Sequence, residues 1–233
     1  MNKLTTGVIL SSLLCSTSFS AIAESGFISE ILIGQSKHTV NATPVNYQSE
    51  KKYKSNLDDK SLAFRVGYKY TDYLTFELAK HDHGSVTNKV ELIYSTQLPG
   101  SPDGNPCCLG PDHDTVVTAI VPIEIDSLRL GVKGQWQLLS NLSINARLGI
   151  ARWEFEKYSP KNLSQLAVQT NEDVSGNDLY YGVSAEYQFT ENFYIGVEYS
   201  MLSIDEDYKD EFNNIGSYNY DVKDLSLVLG WAF

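Results

Sequence analysis

The chain ends in Leu225-Ser226-Leu227-Val228-Leu229-Gly230-Trp231-Ala232-Phe233. Side chains of an extended strand alternate with a period of two. Leu225, Leu227, Leu229, Trp231 and Phe233 therefore share one face, and Ser226, Val228, Gly230 and Ala232 share the other. A large apolar face opposite a small one, closed by aromatic residues, fits a lipid-facing barrel strand better than a strand of a soluble protein.

The same alternation recurs upstream. A first strand sets Phe27, Ile31 and Ile33 against Glu30, Gly34 and Ser36. A second sets Leu62, Phe64, Val66, Tyr68 and Tyr70 against Ala63, Arg65, Gly67 and Lys69, and a tight turn at Thr71-Asp72 leads to a third, with Leu74, Phe76 and Leu78 against Thr75, Glu77 and Ala79. The fourth carries Leu128, Leu130 and Val132 opposite Arg129, Gly131 and Lys133; the fifth carries Leu142 to Ile150 opposite Asn145, Arg147 and Gly149. The sixth sets Tyr181, Val183, Ala185, Tyr187 and Phe189 against Gly182, Ser184, Glu186 and Gln188, and the seventh sets Ile195, Val197 and Tyr199 against Gly196, Glu198 and Ser200. One face is nearly free of charge throughout. The other collects Glu30, Arg65, Lys69, Glu77, Arg129, Lys133, Arg147, Glu186 and Glu198. In a soluble sandwich the charged face would look outward and the apolar faces would pack together. Here Gly and Ser are mixed with the charges, Tyr and Phe gather at strand ends, and short turns alternate with long loops. These features predict an all-β, eight-stranded antiparallel up-and-down transmembrane β-barrel with long external loops.

The N-terminus agrees. Lys3 precedes an apolar stretch from Val8 to Leu14, and Ala21-Ile22-Ala23 forms a small-x-small cleavage site. Residues 1–23 read as a signal peptide and residues 24–233 as the barrel, with Cys15 lost on maturation. The apolar run is too short to be a membrane anchor, and Leu14 before Cys15 argues against a lipoprotein. A formal net charge of -11 argues against a nucleic-acid partner. Mean hydropathy is negative and no long apolar run exists outside the leader, which excludes a helical membrane protein.

A terminal Phe on such a strand resembles the signal that bacterial outer-membrane proteins present to their assembly machinery, here Phe233 with Trp231 beside it. The chain also resembles the OmpA-like eight-stranded transmembrane barrel family. "FRVGYKYTDYLTFELA" (Phe64 to Ala79), "LRLGV" (Leu128 to Val132), "ARLGI" (Ala146 to Ile150) and "AEYQFTENFYIGVEY" (Ala185 to Tyr199) carry the likeness, in order along the chain. The resemblance implies the outer membrane of a Gram-negative bacterium. It also implies an interior salt-bridge network with acidic members at Glu77 and Glu186 and a basic member at Arg129. A further basic position falls on Gly196, so either Arg129 bridges both carboxylates or Arg65 and Arg147 take that part. The expected lumen network is Glu30, Arg65, Glu77, Arg129, Arg147, Glu186 and Glu198, with Arg129 at its centre. The periplasmic domain common in that family is not expected, since the chain ends with the barrel.

The second long loop, from about His81 to His113, contains His81, His83, His113, Cys107 and Cys108. Imidazole and thiolate together suggest zinc or copper. The spacing matches no standard zinc motif, and a disulfide involving Cys107 and Cys108 suits an oxidising compartment. No cofactor is expected. The flanking "SVTNKVELIYST" and "TVVTAIVPIEI" are β-rich and predict a hairpin projecting above the membrane, with Pro122 blunting one edge. An acidic loop holds Asp205, Glu206, Asp207, Asp210 and Glu211, and a basic one holds Lys37, Lys51, Lys52, Lys54 and Lys60. Both suggest contact with outer-membrane lipid and lipopolysaccharide phosphates, the acids through divalent ions. His81 with Ser61 or Ser85 forms no recognisable lipase or acyltransferase motif, so no enzyme is expected. The expected role is a non-enzymatic surface protein acting through its loops in adhesion, colonisation or membrane integrity, with a host or surface ligand. The alternative is a low-conductance gated pore.

Overall fold

The computed structural model describes residues 26–43, 53–95, 114–156, 158, 174–209 and 215–233. Eight strands follow in order: β1 (Phe27–Thr43), β2 (Tyr53–Thr71), β3 (Leu74–Ser95), β4 (Asp114–Leu139), β5 (Leu142–Phe155), β6 (Val174–Gln188), β7 (Phe193–Lys209) and β8 (Ile215–Ala232). Each pairs antiparallel with its sequence neighbour, and β1 pairs with β8 from Ile28↔Ala232 to Thr43↔Ser217, closing the barrel. Closure leaves no free strand edge within the belt, which a sheet in lipid requires. Short turns join β2 to β3, β4 to β5 and β6 to β7 at one end. Polar side chains hold them: Thr190 Oγ1 accepts from the amides of Asn192 and Phe193, and Gln137 donates to the Ser140 carbonyl. The first of these turns is Asp72-Tyr73, one residue later than expected.

The outward faces are those the alternation predicts: Leu62, Phe64, Val66, Leu130, Leu148, Val183, Val197 and Leu227 are all exposed. Next to the short turns the apolar surface becomes aromatic. Phe27 meets Tyr68, Tyr70 meets Phe76, and Tyr187, Phe189, Phe193 and Trp231 form a continuous chain of ring contacts. Amphipathic rings at this level mark a membrane–water interface. Lys69 was expected in the lumen. It lines the mouth of the lumen at the rim, partly exposed and paired with Asp72.

Above the belt the pattern inverts. On β4 the outer face runs Val132, Leu130, Leu128 and then Asp126 and Glu124, while the inner face runs Lys133, Arg129, Ser127 and then Ile125 and Ile123. On β5 the outer Leu148 and Ile150 give way to Arg152 and Glu154, and the inner Arg147 gives way to Trp153 and Phe155. On β7 and β8 the same change brings Leu202, Ile204, Tyr218, Tyr220 and Val222 inside. On these strands the alternation continues unbroken through the change. What changes is the outer solvent, from hydrocarbon to water, so the apolar set moves to the only dry side. The apolar outer stretch runs from Trp136 to Leu128 on β4 and from Leu142 to Ile150 on β5, close to the roughly 9–11 residues with which a tilted strand crosses a bilayer. Strands of 22 and 26 residues at β3 and β4 therefore extend well beyond it.

The projecting hairpin is present. Beyond a register shift between Asp82 and Ser85, β3 pairs with β4 from Ser85↔Glu124 to Ser95↔Asp114, whereas its pairing with β2 stops at Leu62↔Asp82. Gly84 sits at the shift with φ +81°, and a Cβ there would lie 2.5 Å from the Asp59 carboxylate. Glu124 turns its carbonyl to the Glu156 amide on the β5 side. Pro122, two residues earlier, turns its ring nitrogen to that same side, beyond the end of β5.

Candidate functional site

Four glutamates and three bases meet in the lower lumen, one from each of the strands β1 to β7. Arg147 on β5 is the hub. Its guanidinium lies 3.4 Å from Glu30, 3.1 Å from Glu77, 3.0 Å from Glu186 and 3.0 Å from Glu198. Arg65 on β2 binds Glu198 through both terminal nitrogens, at 2.9 and 2.7 Å, and contacts Glu30 directly. Lys133 on β4 lies 3.2 Å from Glu30 and 3.4 Å from Glu186. Tyr194 on β7 donates its hydroxyl hydrogen to Glu30 at 2.6 Å. All of these side chains are buried. Carboxylates so placed are tolerable because each is paired with at least two bases, and Glu30 and Glu186 accept further hydrogen bonds from Tyr194 and Ser184.

Glycines make the room. A Cβ on Gly230 would lie 2.1 Å from the Tyr194 ring, so only glycine lets that ring reach Glu30. A Cβ on Gly196 would lie 2.9 Å from Glu186 Cγ. The space of the basic residue expected on β7 is thus taken by Glu186 itself, whose partners come from β4 and β5.

Arg129 lies above this cluster and does not bridge Glu77 and Glu186. It donates to Asp224 at 3.1 Å and to Ser200 at 3.1 Å, and its guanidinium sits 5.0 Å from the centre of the Tyr180 ring. Arg65 and Arg147 meet the two carboxylates, together with Lys133.

The histidines are in the same layer. His81 and His83 belong to β3 and point into the lumen, fully buried and stacked at 5.5 Å, so they are not loop residues. His83 Nδ1 lies 3.0 Å from Asp224 Oδ1 and its Nε2 lies 2.8 Å from Ser127 Oγ. Ser36 donates to the same Asp224 oxygen. His38 Nε2 donates to the His83 carbonyl at 2.8 Å, which leaves Nδ1 to accept from the Tyr220 hydroxyl at 2.6 Å. Tyr220 then packs on Phe155, and Phe155 on Trp153, whose indole donates to Asp178 at 2.6 Å. Ionic, histidine and apolar layers thus follow one another up the lumen. Below them, a vestibule of about 130 Å³ opens at the end of the short turns, lined by Gln135, Gln137, Asn141 and Gln188, with Lys133 and Glu186 among its walls.

His113, Cys107, Cys108 and residues 1–23 lie outside the described residues, as do Asp210, Glu211, Lys51 and Lys52. Neither Ser61 Oγ nor His81 Nε2 has a hydrogen-bond partner, and Ser85 is exposed, so no serine–histidine pair forms there. The external acids occupy the upper wall. Glu156, just past β5, has its carboxyl pushed up by partial burial and by the neighbouring Asp126 and Glu124.

Asp224, Tyr194, His38 and Tyr220 were not anticipated, and Ser36 was expected on the inner face without its partner Asp224. Asp224 is one step before Leu225, in phase with Ser226 and Val228, so extending the terminal alternation backward would have found it. Tyr194 is in phase with Gly196 and Glu198 in the same way. His38 and Tyr220 carry no such signal, because they stand among apolar lumen residues above the belt.

The fold has solved counterparts. The outer membrane protein OprG from Pseudomonas aeruginosa aligns at 11% identity over 90% of this chain and 97% of that one, with a TM-score of 0.51. Neisserial surface protein A aligns at 14% identity over 90% and 98%, with a TM-score of 0.46. Ail, the attachment invasion locus protein of Yersinia pestis, aligns at 15% identity over 89% and 99%, with a TM-score of 0.41. Comparison with curated proteins finds no match. Residues 7–233 match the family described as outer membrane protein beta-barrel domain, and the chain belongs to that family.

Proposed function

We propose that this outer-membrane barrel is a closed, rigid mount that presents its external strands and loops to a surface ligand, in adhesion or colonisation. The observation that carries the reading is the inversion above the belt. An apolar interior of Trp153, Phe155, Leu202, Ile204 and Tyr220 seals the wall from within, while Glu124, Asp126, Arg152, Glu154 and Asp205 face outward. Such a wall holds loops stiffly above the lipid headgroups, and binding then costs less ordering entropy. Conduction would need the ionic layer, the histidine layer and the apolar layer all to open. The narrower OmpA-like assignment is supported by the paired Glu77 and Glu186.

Four further parts belong to the proposal. Phe233 and Trp231 address the chain to the outer-membrane assembly machinery. Residues 1–23 are removed as a leader, leaving Glu24 as the first residue. Lys37 and Lys60 on the upper wall contact lipopolysaccharide phosphates, and Cys107 and Cys108 form a disulfide. The test is to replace the hairpin tip and each other external loop in turn by a short turn. Variants that remain folded in the outer membrane are then scored for attachment to cells and to coated surfaces. Loss of attachment with retained heat-modifiable mobility is the expected result. Unchanged attachment in every loop variant would refute the proposal.

A further inference from the structure

We infer that the histidine layer is a binding site for a single late first-row transition-metal ion, of the zinc or copper class, held by His81, His83 and Asp224. One donor atom from each of the three residues lies within 4.8 Å of the others. His81 Nε2 is fully buried and has no hydrogen-bond partner. Burying such a nitrogen without a partner costs free energy that ligation would recover. Two imidazoles and a carboxylate suit zinc, copper or nickel, and not calcium or magnesium, which take oxygen ligands.

The neighbours determine the tautomer. A guanidinium only donates, and Arg129 approaches His83 Nε2 at 3.3 Å, so Nε2 accepts and Nδ1 carries the hydrogen toward Asp224. The ion takes the place of that hydrogen. His83 Nδ1 and Asp224 Oδ1 are 3.0 Å apart, against the roughly 3.3 Å between tetrahedral ligands each about 2.0 Å from zinc. The imidazole stays neutral, since its hydrogen moves to Nε2, which then donates to Ser127 Oγ at 2.8 Å, while Arg129 gives up its long contact to Nε2 and keeps Asp224 Oδ2. Asp224 Oδ2 keeps Arg129 and Ser200 as partners that orient it. Arg129 is a cation beside the site, which opposes a second one. Beneath it, however, the four glutamates exceed Arg65, Lys133 and Arg147 by one charge. A small rotation of His81 brings its free nitrogen to the third position and leaves a fourth for water or an anion.

The test uses the full mature chain with Cys107, Cys108 and His113 replaced by serine, serine and alanine, so that loop ligands cannot contribute. The barrel is refolded into micelles with zinc or cobalt present, desalted, checked by heat-dependent gel shift and assayed for metal by mass spectrometry. One ion per barrel, a tetrahedral cobalt absorption spectrum and a raised melting temperature are expected. His81→Leu, which breaks no hydrogen bond, is expected to fold and to lose all three; His83→Gln is the second variant. Only traces of metal in the folded parent, or full retention by either variant, would overturn the site.

Discussion

Replacing Arg147 by Met removes the one side chain that touches all four lumen glutamates. Met approximates its stem, so packing changes little and the loss is chiefly electrostatic. Glu30, Glu77, Glu186 and Glu198 would then face only Arg65 and Lys133, and the excess of acid over base would rise from one to two. Removing one partner of a buried pair costs about 3–5 kcal/mol, because the remaining charge stays dry. With a urea dependence of about 2 kcal/mol per molar, the unfolding midpoint of the refolded barrel should fall by roughly 2 M. Adding Glu186→Gln restores the excess to one and should recover much of that shift, although it removes a further hydrogen-bonding group. Arg129→Met leaves a single carboxylate, Asp224, which keeps Ser36, Ser200 and His83, and should cost less. The assay is urea titration in micelles, followed by tryptophan fluorescence and gel mobility. A midpoint for Arg147→Met within about 0.5 M of the parent, or a larger loss from Arg129→Met, would refute Arg147 as the hub.

Other outcomes follow from single contacts. Gly230→Val should drive Tyr194 from its place over Lys133 and away from Glu30, costing about 1–3 kcal/mol by the same titration. Leu130→Arg places a charge in the lipid belt and should cost about 2–4 kcal/mol of folding free energy into bilayers, whereas Glu154→Arg, on the watery wall, should cost little. Equal effects would mean that the belt is misplaced. Trp153→Ala empties the upper plug and should cost about 3–5 kcal/mol, read as a lowered unfolding midpoint. Phe233→Ala should lower the level of assembled barrel in the outer membrane while leaving the unfolding midpoint of refolded protein nearly unchanged.

The membrane belt was legible because lipid imposes a simple rule on alternation. Leu62 to Tyr70 could face outward only if Arg65 and Gly67 faced in. Above the belt the rule reverses and hydrophobicity alone no longer tells inside from outside. Ile123 and Ile125 therefore read as part of a β-rich hairpin without a facing, and His81 and His83 read as the start of a loop. The lumen charges were visible one by one, but their partners were not. Pairing across a barrel joins residues such as Glu30 and Arg147, on strands that share no edge. Sequence order carries no trace of that distance. Arg129 was expected at the centre by family resemblance, and its partner Asp224 lay one residue beyond the stretch that the terminal alternation covered.

The most direct measurement of the account is current across a planar bilayer containing the refolded mature chain. With folding confirmed by gel shift, the packed ionic, histidine and apolar layers predict a silent membrane under applied voltage, for the parent and for loop-shortened variants alike. Discrete openings in the parent, altered by Arg147→Met, would contradict the closed mount and make the lumen a gated path.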